Sequence, residues 1–140
     1  MKLITYLSFR GTTEDAFRYY EQHLGAKILF MMRWNQMPGP NAARDTPPGF
    51  ADKVMHATLA IADSTLMASD SPGVEPMRAA HISLSVDSTE EAERIYNSLA
   101  DGGEVSMALT ETFFAHRFGQ LRDRFGVNWM IIHNKPMQQA

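Results

Sequence analysis

The sequence predicts an α+β fold of two βαβββ modules, and three observations carry that expectation. The first is an ungapped internal repeat: Thr12-Thr13-Glu14-Asp15 matches Ser88-Thr89-Glu90-Glu91, and Ala16-x-Arg18-x-Tyr20 matches Ala92-x-Arg94-x-Tyr96, at an offset of 76 positions. The second is a change of period in each copy, from a β-branched and aromatic strand pattern to an amphipathic helical one. The third is that short strand patterns and turn signals follow each helix. Together these place module one at 1–70, a linker at 71–77 and module two at 78–135 of a single two-module domain.

Leu3 to Phe9 reads as the first strand. Thr12 or Thr13 can cap the helix that follows. Glu14 and Asp15 favour its positive end, Ala16, Phe17, Tyr20 and Leu24 form one face, and Gly25 stops it. Ala26 to Trp34 resumes a strand whose near-continuous apolarity suggests burial on both faces. Asn35 to Lys53, with Pro38, Gly39, Pro40, Pro47, Pro48 and Gly49, blocks helix and central strand and reads as a long loop. Val54 to Ile61 and Thr65 to Ser69 are strands joined by a turn at Ala62–Asp63–Ser64.

The linker carries Pro72, Gly73 and Pro76, after which the pattern restarts. Ala80 to Ser85 aligns with Ile4 to Phe9, so Thr5 and His81 are repeat partners. Ser88 and Glu91 form a capping box before the stripe Ala92, Ile95, Tyr96 and Leu99, and Gly102–Gly103 ends the helix. Glu104 to Thr112, a short piece near Phe118 and Val127 to His133 complete the strands of module two.

Composition narrows the function. The 140 residues are 44% apolar and 21% charged, ordinary for a soluble domain, and no run is long enough to cross a membrane. The N-terminal residues lack a secretory pattern, so the expected location is cytoplasmic. With no cysteine, disulfides, thiolate nucleophiles and cysteine-bound zinc are excluded. A net charge of −3 with scattered Lys and Arg argues against a nucleic-acid partner. Ten Met residues can fill core gaps or line a pliable apolar pocket. There is no Gly-rich phosphate loop, nucleophile elbow or HExxH pattern.

The motifs Tyr6-x-x-Phe9-x-Gly11, Ala16-Phe17-x-x-Tyr20-x-x-x-Leu24-Gly25, His56-Ala57-x-Leu59, Leu66-Met67-x-Ser69-Asp70 and Gly102-Gly103-x-Val105-x-Met107, with the aromatic and basic run from Glu111 to Trp129, give the chain its resemblance. It resembles the vicinal oxygen chelate superfamily, also called glyoxalase/bleomycin-resistance, in its PhnB-like branch. The resemblance implies a curled mixed sheet around a cavity, with helices outside, often assembled as homodimers. It also implies, in members like glyoxalase I, a metal ligand on the first and fourth strand of each module. Carried onto this chain, those positions are Thr5 and Met67, then His81 and Met130. Only His81 among them is a strong ligand for the ions these enzymes use, because thioethers favour soft ions. The expectation is a fold without the inherited metal centre and without a resident cofactor.

A different site can be drawn from the residues. His56, Thr58 and Ala60 share one strand face and His81, Ser83 and Ser85 another. His56, His81 and Glu111 would then supply two imidazoles and a carboxylate for a divalent ion, or a general base and its orienting partner. Neutral interior histidines bonded to hydroxyl or backbone groups are the plainer reading of the same residues. Phe9, Trp34, Met67, Phe114, His116, Arg117 and Met130 are the candidate ligand-binding residues, while Asp63, Asp70 and Asp123 are expected to cap turns. Three functional readings follow. The first is a binding protein for a small organic ligand, homodimeric and free of nucleic-acid or membrane partners. The second is a metal-dependent enzyme, lyase or dioxygenase-like, using His56, His81 and Glu111. The third is a dimeric interaction protein whose cavity is filled.

Overall fold

The computed structural model describes residues 1–136. The chain divides into two compact units, Met1–Pro76 and a second from Met77 onward. Each unit is one four-stranded mixed sheet with a twelve-residue helix on it, so the fold is α+β, with no closed barrel among the described residues.

In the first unit β1 (Thr5–Phe9) leads to α1 (Thr13–Leu24), then β2 (Lys27–Arg33), β3 (Val54–Ile61) and β4 (Ser64–Asp70). The sheet order is β1-β4-β3-β2; β1 runs parallel to β4 and the other pairs are antiparallel. Period two sorts the side chains. Leu7, Phe9, Ala57, Leu59, Ile61, Leu66 and Ala68 are buried on the face that meets Ala16, Phe17 and Tyr20 of α1. Burying that apolar stripe is what stabilises the helix, since twelve residues alone are marginal in water. Gly25 ends α1 in the left-handed region (φ 64°), where a side chain would be strained.

The helix start differs from expectation. Neither Thr12 nor Thr13 caps it with its own side chain; Thr12 is the N-cap residue and makes no such bond. Asp70, at the end of β4, does the work instead: its carboxylate accepts from the N–H groups of Gly11 and Thr13 and from the Thr13 hydroxyl.

The segment from Asn35 to Lys53 is more ordered than its composition suggests. A 3₁₀ turn (Trp34–Gln36) and a four-residue helix, α2 (Ala42–Asp45), form within it. Trp34 N–H donates to Lys53 O and Asn35 N–H to Ala51 O, which extends the β2–β3 ladder and closes the base of the loop. The prolines exclude long elements, and single turns need only local bonds.

In the second unit β5 (Ile82–Ser85) precedes α3 (Thr89–Ala100), β6 (Glu104–Thr110), β7 (Ala115–Arg122) and β8 (Asn128–Asn134). The order β5-β8-β7-β6 repeats that of the first sheet. Ser88 caps α3 as expected, its hydroxyl accepting from Glu91 N–H at 3.1 Å. The short piece near Phe118 is a full eight-residue strand. Asp123 folds the turn before β8: its carboxylate accepts from Phe125 N–H, Val127 N–H and the buried indole N–H of Trp129.

The helices keep the 76-residue offset, Thr13 to Thr89, but the strands before them do not. Leu7 pairs with buried Ala68 and Leu84 with buried Ile131, while Tyr6 pairs with Met67 and Ser83 with Met130. The corresponding residues are therefore 77 apart. A one-residue slip reverses the face of every side chain in a strand. Thr5 and His81 are consequently not equivalent positions.

Candidate functional site

The face of the first sheet away from α1 carries the strongest concentration of chemistry. Cross-strand partners share a face, so the row Tyr6, Met67, Thr58 and Phe30 runs across β1, β4, β3 and β2. His56 stands two residues before Thr58, opposite Met32. The Tyr6 hydroxyl lies 3.1 Å from His56 Nδ1, and the Thr58 hydroxyl lies 3.4 Å from His56 Nε2. The imidazole also contacts two rings, Tyr6 at 5.7 Å between centroids and Phe30 at 5.9 Å.

This group is open to solvent: Tyr6 is 51% and Phe30 45% exposed, and His56 is half-buried. Hydroxyls on both nitrogens fix the orientation of the imidazole, and a ligand reaches one of its nitrogens by displacing a single hydroxyl. The Met67 and Met32 thioethers beside it supply adaptable apolar contact. Thr58 completes the chain at the long end of hydrogen-bonding distance and is the bond a competing ligand group would displace first.

The other sequence candidates land in different places. Phe9, a candidate ligand contact, is buried on the α1 side, because its partner across the ladder is Asp70 at the helix start. Trp34 is half-buried and its indole N–H donates to Asp70 O at 3.1 Å, so it anchors the loop. Met130 occupies in the second sheet the place that Met67 holds in the first, between Ser83 and Gln120. Phe114 forms edge contacts with Phe113 and Phe118, and Phe113 is 92% exposed.

The His116 ring lies 4.7 Å from that of His133, tilted by 40°. Arg117 is held by Glu93 at 3.4 Å and by the His116 carbonyl, and so packs toward α3. His81 lies just before β5 and is exposed. Glu111 is exposed and paired with Lys135 at 3.1 Å; that hydrogen bond and charge hold its carboxyl below the usual carboxylate range. Among the described residues of either unit, no three His, Asp or Glu side chains converge on a point where an ion could sit.

The register also redraws the positions that would hold a family metal. Thr5 pairs with buried Leu66 and so belongs to the helix side of the sheet. The residues that face one another on the first and fourth strands, away from the helix, are Tyr6 with Met67 and Ser83 with Met130. A phenol, a hydroxyl and two thioethers do not make the imidazole and carboxylate set that suits borderline divalent ions.

A depression of about 280 Å³ lies at the start of α1 and is lined by Gly11, Glu14, Asp15, Arg33, Lys53 and neighbours. Arg33 spans it, bonding both Glu14 oxygens and Asp52 O. Those groups satisfy one another and give the depression a structural role.

Tyr6, Phe30 and Met32 are the site residues that sequence reasoning passed over. Tyr6 drew notice only within a motif. Its signal was parity with Ser8 on β1, which means nothing until β1 is set against β4. Lacking a conspicuous neighbour in sequence, Phe30 sits beside His56 only through the β2–β3 register.

The fold and this arrangement of faces define a class. The chain belongs to the Glyoxalase/Bleomycin resistance protein/Dioxygenase superfamily, whose model matches residues 2–131. Among individual proteins, Protein YjdN of Escherichia coli (strain K12) is 39% identical over 147 aligned residues, covering 99% of this chain and 100% of its own length. The crystal structure of protein PA1353 from Pseudomonas aeruginosa superposes with a TM-score of 0.85 at 41% identity, over 97% of this chain and 99% of that one. A Bacillus cereus protein named putative 3-demethylubiquinone-9 3-methyltransferase, PhnB protein, matches with a TM-score of 0.79 at 26% identity, over 95% and 99% of the two chains. The PhnB-like character suggested by the motifs is thus shared with solved relatives.

Proposed function

We propose that this chain is a binding protein for a small organic molecule, working without the metal centre of its enzymatic relatives. The observation that carries the reading is the Tyr6–His56–Thr58 row set among Met67, Met32 and Phe30 on an accessible sheet face. A mostly apolar surface with one oriented polar group is the usual design of a small-molecule site. The ligand class that fits is a flat or branched apolar body with one oxygen or nitrogen function for His56. The methyltransferase name of the Bacillus cereus relative does not transfer, because the described residues form four-stranded mixed sheets and no Gly-rich strand-to-helix turn for a nucleotide-like methyl donor. Exposed Leu29, Val105, Met107 and Phe113 support assembly as a homodimer, which would cover apolar surface left in water.

The test uses the anionic apolar dye 8-anilinonaphthalene-1-sulfonate as probe on the full chain, before and after dialysis against a chelator. Binding is expected to survive chelation and to weaken about two- to tenfold in His56→Ala and Phe30→Ala, the range of one hydrogen bond or one apolar contact. Dye binding that vanishes on chelation and returns with a divalent ion would overturn the metal-free reading. Unchanged affinity in both variants would move the site elsewhere.

A further inference from the structure

A second cluster lies in the other unit and plays no part in the site just described. The ladder between β7 and β8 skips a residue at its end: Ala115 pairs with Asn134 and Arg117 with His133, leaving His116 as the extra residue of a β-bulge. A bulge re-aims a side chain, and here it brings the His116 ring to 4.7 Å from that of His133, tilted by 40°. The Thr89 hydroxyl, in the first turn of α3, lies 3.3 Å from His133 Nδ1 and leaves Nε2 as the free ring nitrogen. An oxygen partner on one imidazole nitrogen is the support that orients histidine metal ligands elsewhere.

From this geometry we infer that His116 and His133 form a two-imidazole chelate for a borderline divalent transition-metal ion. A metal bound at about 2.0–2.1 Å from an imidazole nitrogen lies about 3.2 Å from the ring centroid. Centroids 4.7 Å apart then subtend about 95° at a common ion, an ordinary cis angle. Water would fill the remaining positions.

The surrounding charges permit a cation. Arg117, next to His116 in the chain, is engaged by Glu93 and by the His116 carbonyl. Lys135 is paired with the Glu111 carboxylate at 3.1 Å, and that carboxylate also interacts favourably with His116. Cu²⁺ is the ion expected to bind most tightly, by the general affinity order of divalent first-row metals.

The experiment is a Cu²⁺ titration of the full chain followed by electron paramagnetic resonance. One Cu²⁺ per chain with coupling to two imidazole nitrogens is expected. His116→Ala and His133→Gln should each lower affinity at least about tenfold and leave one coupled nitrogen, whereas His23→Ala on α1 should change neither. Far-UV circular dichroism checks that each variant folds, and the nitrogen count of the unaltered chain stands as an independent readout. Full affinity and a two-nitrogen signal in both variants, or no stoichiometric binding by the unaltered chain, would overturn the assignment.

Discussion

Asp70→Ala is the perturbation that most directly tests how the first unit holds its site. The Asp70 side chain is 1% exposed and serves four donors: Gly11 N–H at 3.1 Å, Thr13 N–H at 3.0 Å, the Thr13 hydroxyl at 2.7 Å and Val54 N–H at 2.9 Å. Hydrogen bonds to a charged acceptor contribute about 1.5–3 kcal/mol each, but losses at one buried group do not add. Removing the carboxylate leaves three backbone N–H groups without their acceptor and frees the first turn of α1. A net destabilisation of about 4 kcal/mol follows, in the range for a broken buried charged network, with a Tm fall of about 12 °C.

Val54 opens β3 two residues before His56, so dye binding should weaken in the same variant. Thr13→Ala removes one of the four bonds and should cost about 1 kcal/mol. Asp70→Asn keeps the shape but turns an amide N–H₂ toward one of the donors, and should resemble the alanine variant more than the unaltered protein. Thermal and urea unfolding followed by far-UV circular dichroism give the values. A loss under about 1 kcal/mol for Asp70→Ala would refute the role of this carboxylate as a long-range cap.

Two further outcomes are expected. A Cβ at Gly103 would collide with the carbonyl oxygen of Arg122 and meet Asp123 Cα at 3.0 Å. Gly103→Ala should therefore destabilise by about 1–3 kcal/mol in urea unfolding, while alanine at the exposed Ser106 should not. Glu14 is held below the usual carboxylate range, first by its hydrogen bond from Arg18 and then by Arg33. Because its folded-state pKa is depressed, its contribution is present above the unfolded value of about 4.5 and is lost as pH falls through the folded one. Glu14→Gln should thus flatten stability against pH below about 4.5, by a few tenths of a kcal/mol for so solvated a pair, and equal slopes in the two proteins would contradict the pairing.

The helices were legible because their signals are local. Gly25 and the stripe Ala16, Phe17 and Tyr20 declare α1, and Ser88 with Glu91 declares the start of α3. The order of strands and the two-module plan follow from the repeat. Strand period two likewise fixed that His56, Thr58 and Ala60 share a face. What sequence could not supply is anything that depends on register between strands.

The ungapped repeat equated Thr5 with His81, yet a one-residue slip before α3 makes Ser83 the counterpart of Tyr6, and the β1–β4 register sets Tyr6, not Thr5, opposite Met67. The slip escapes a comparison anchored without gaps on the helices, although an offset of 77 matches Leu7 with Leu84, Ser8 with Ser85 and Phe9 with Val86, the phase that burial against the helix requires. The same limit applies to the cap of α1, which comes from Asp70, 57 residues from Thr13 along the chain, and to the bulge that brings His116 to His133. The sequence by itself determined which segments form helices and strands and that two like modules exist, because those follow from periodicity and capping within a few residues. Only the tertiary structure decided which side chains meet, because hydrogen-bond register and one-residue slips set the facing of every strand.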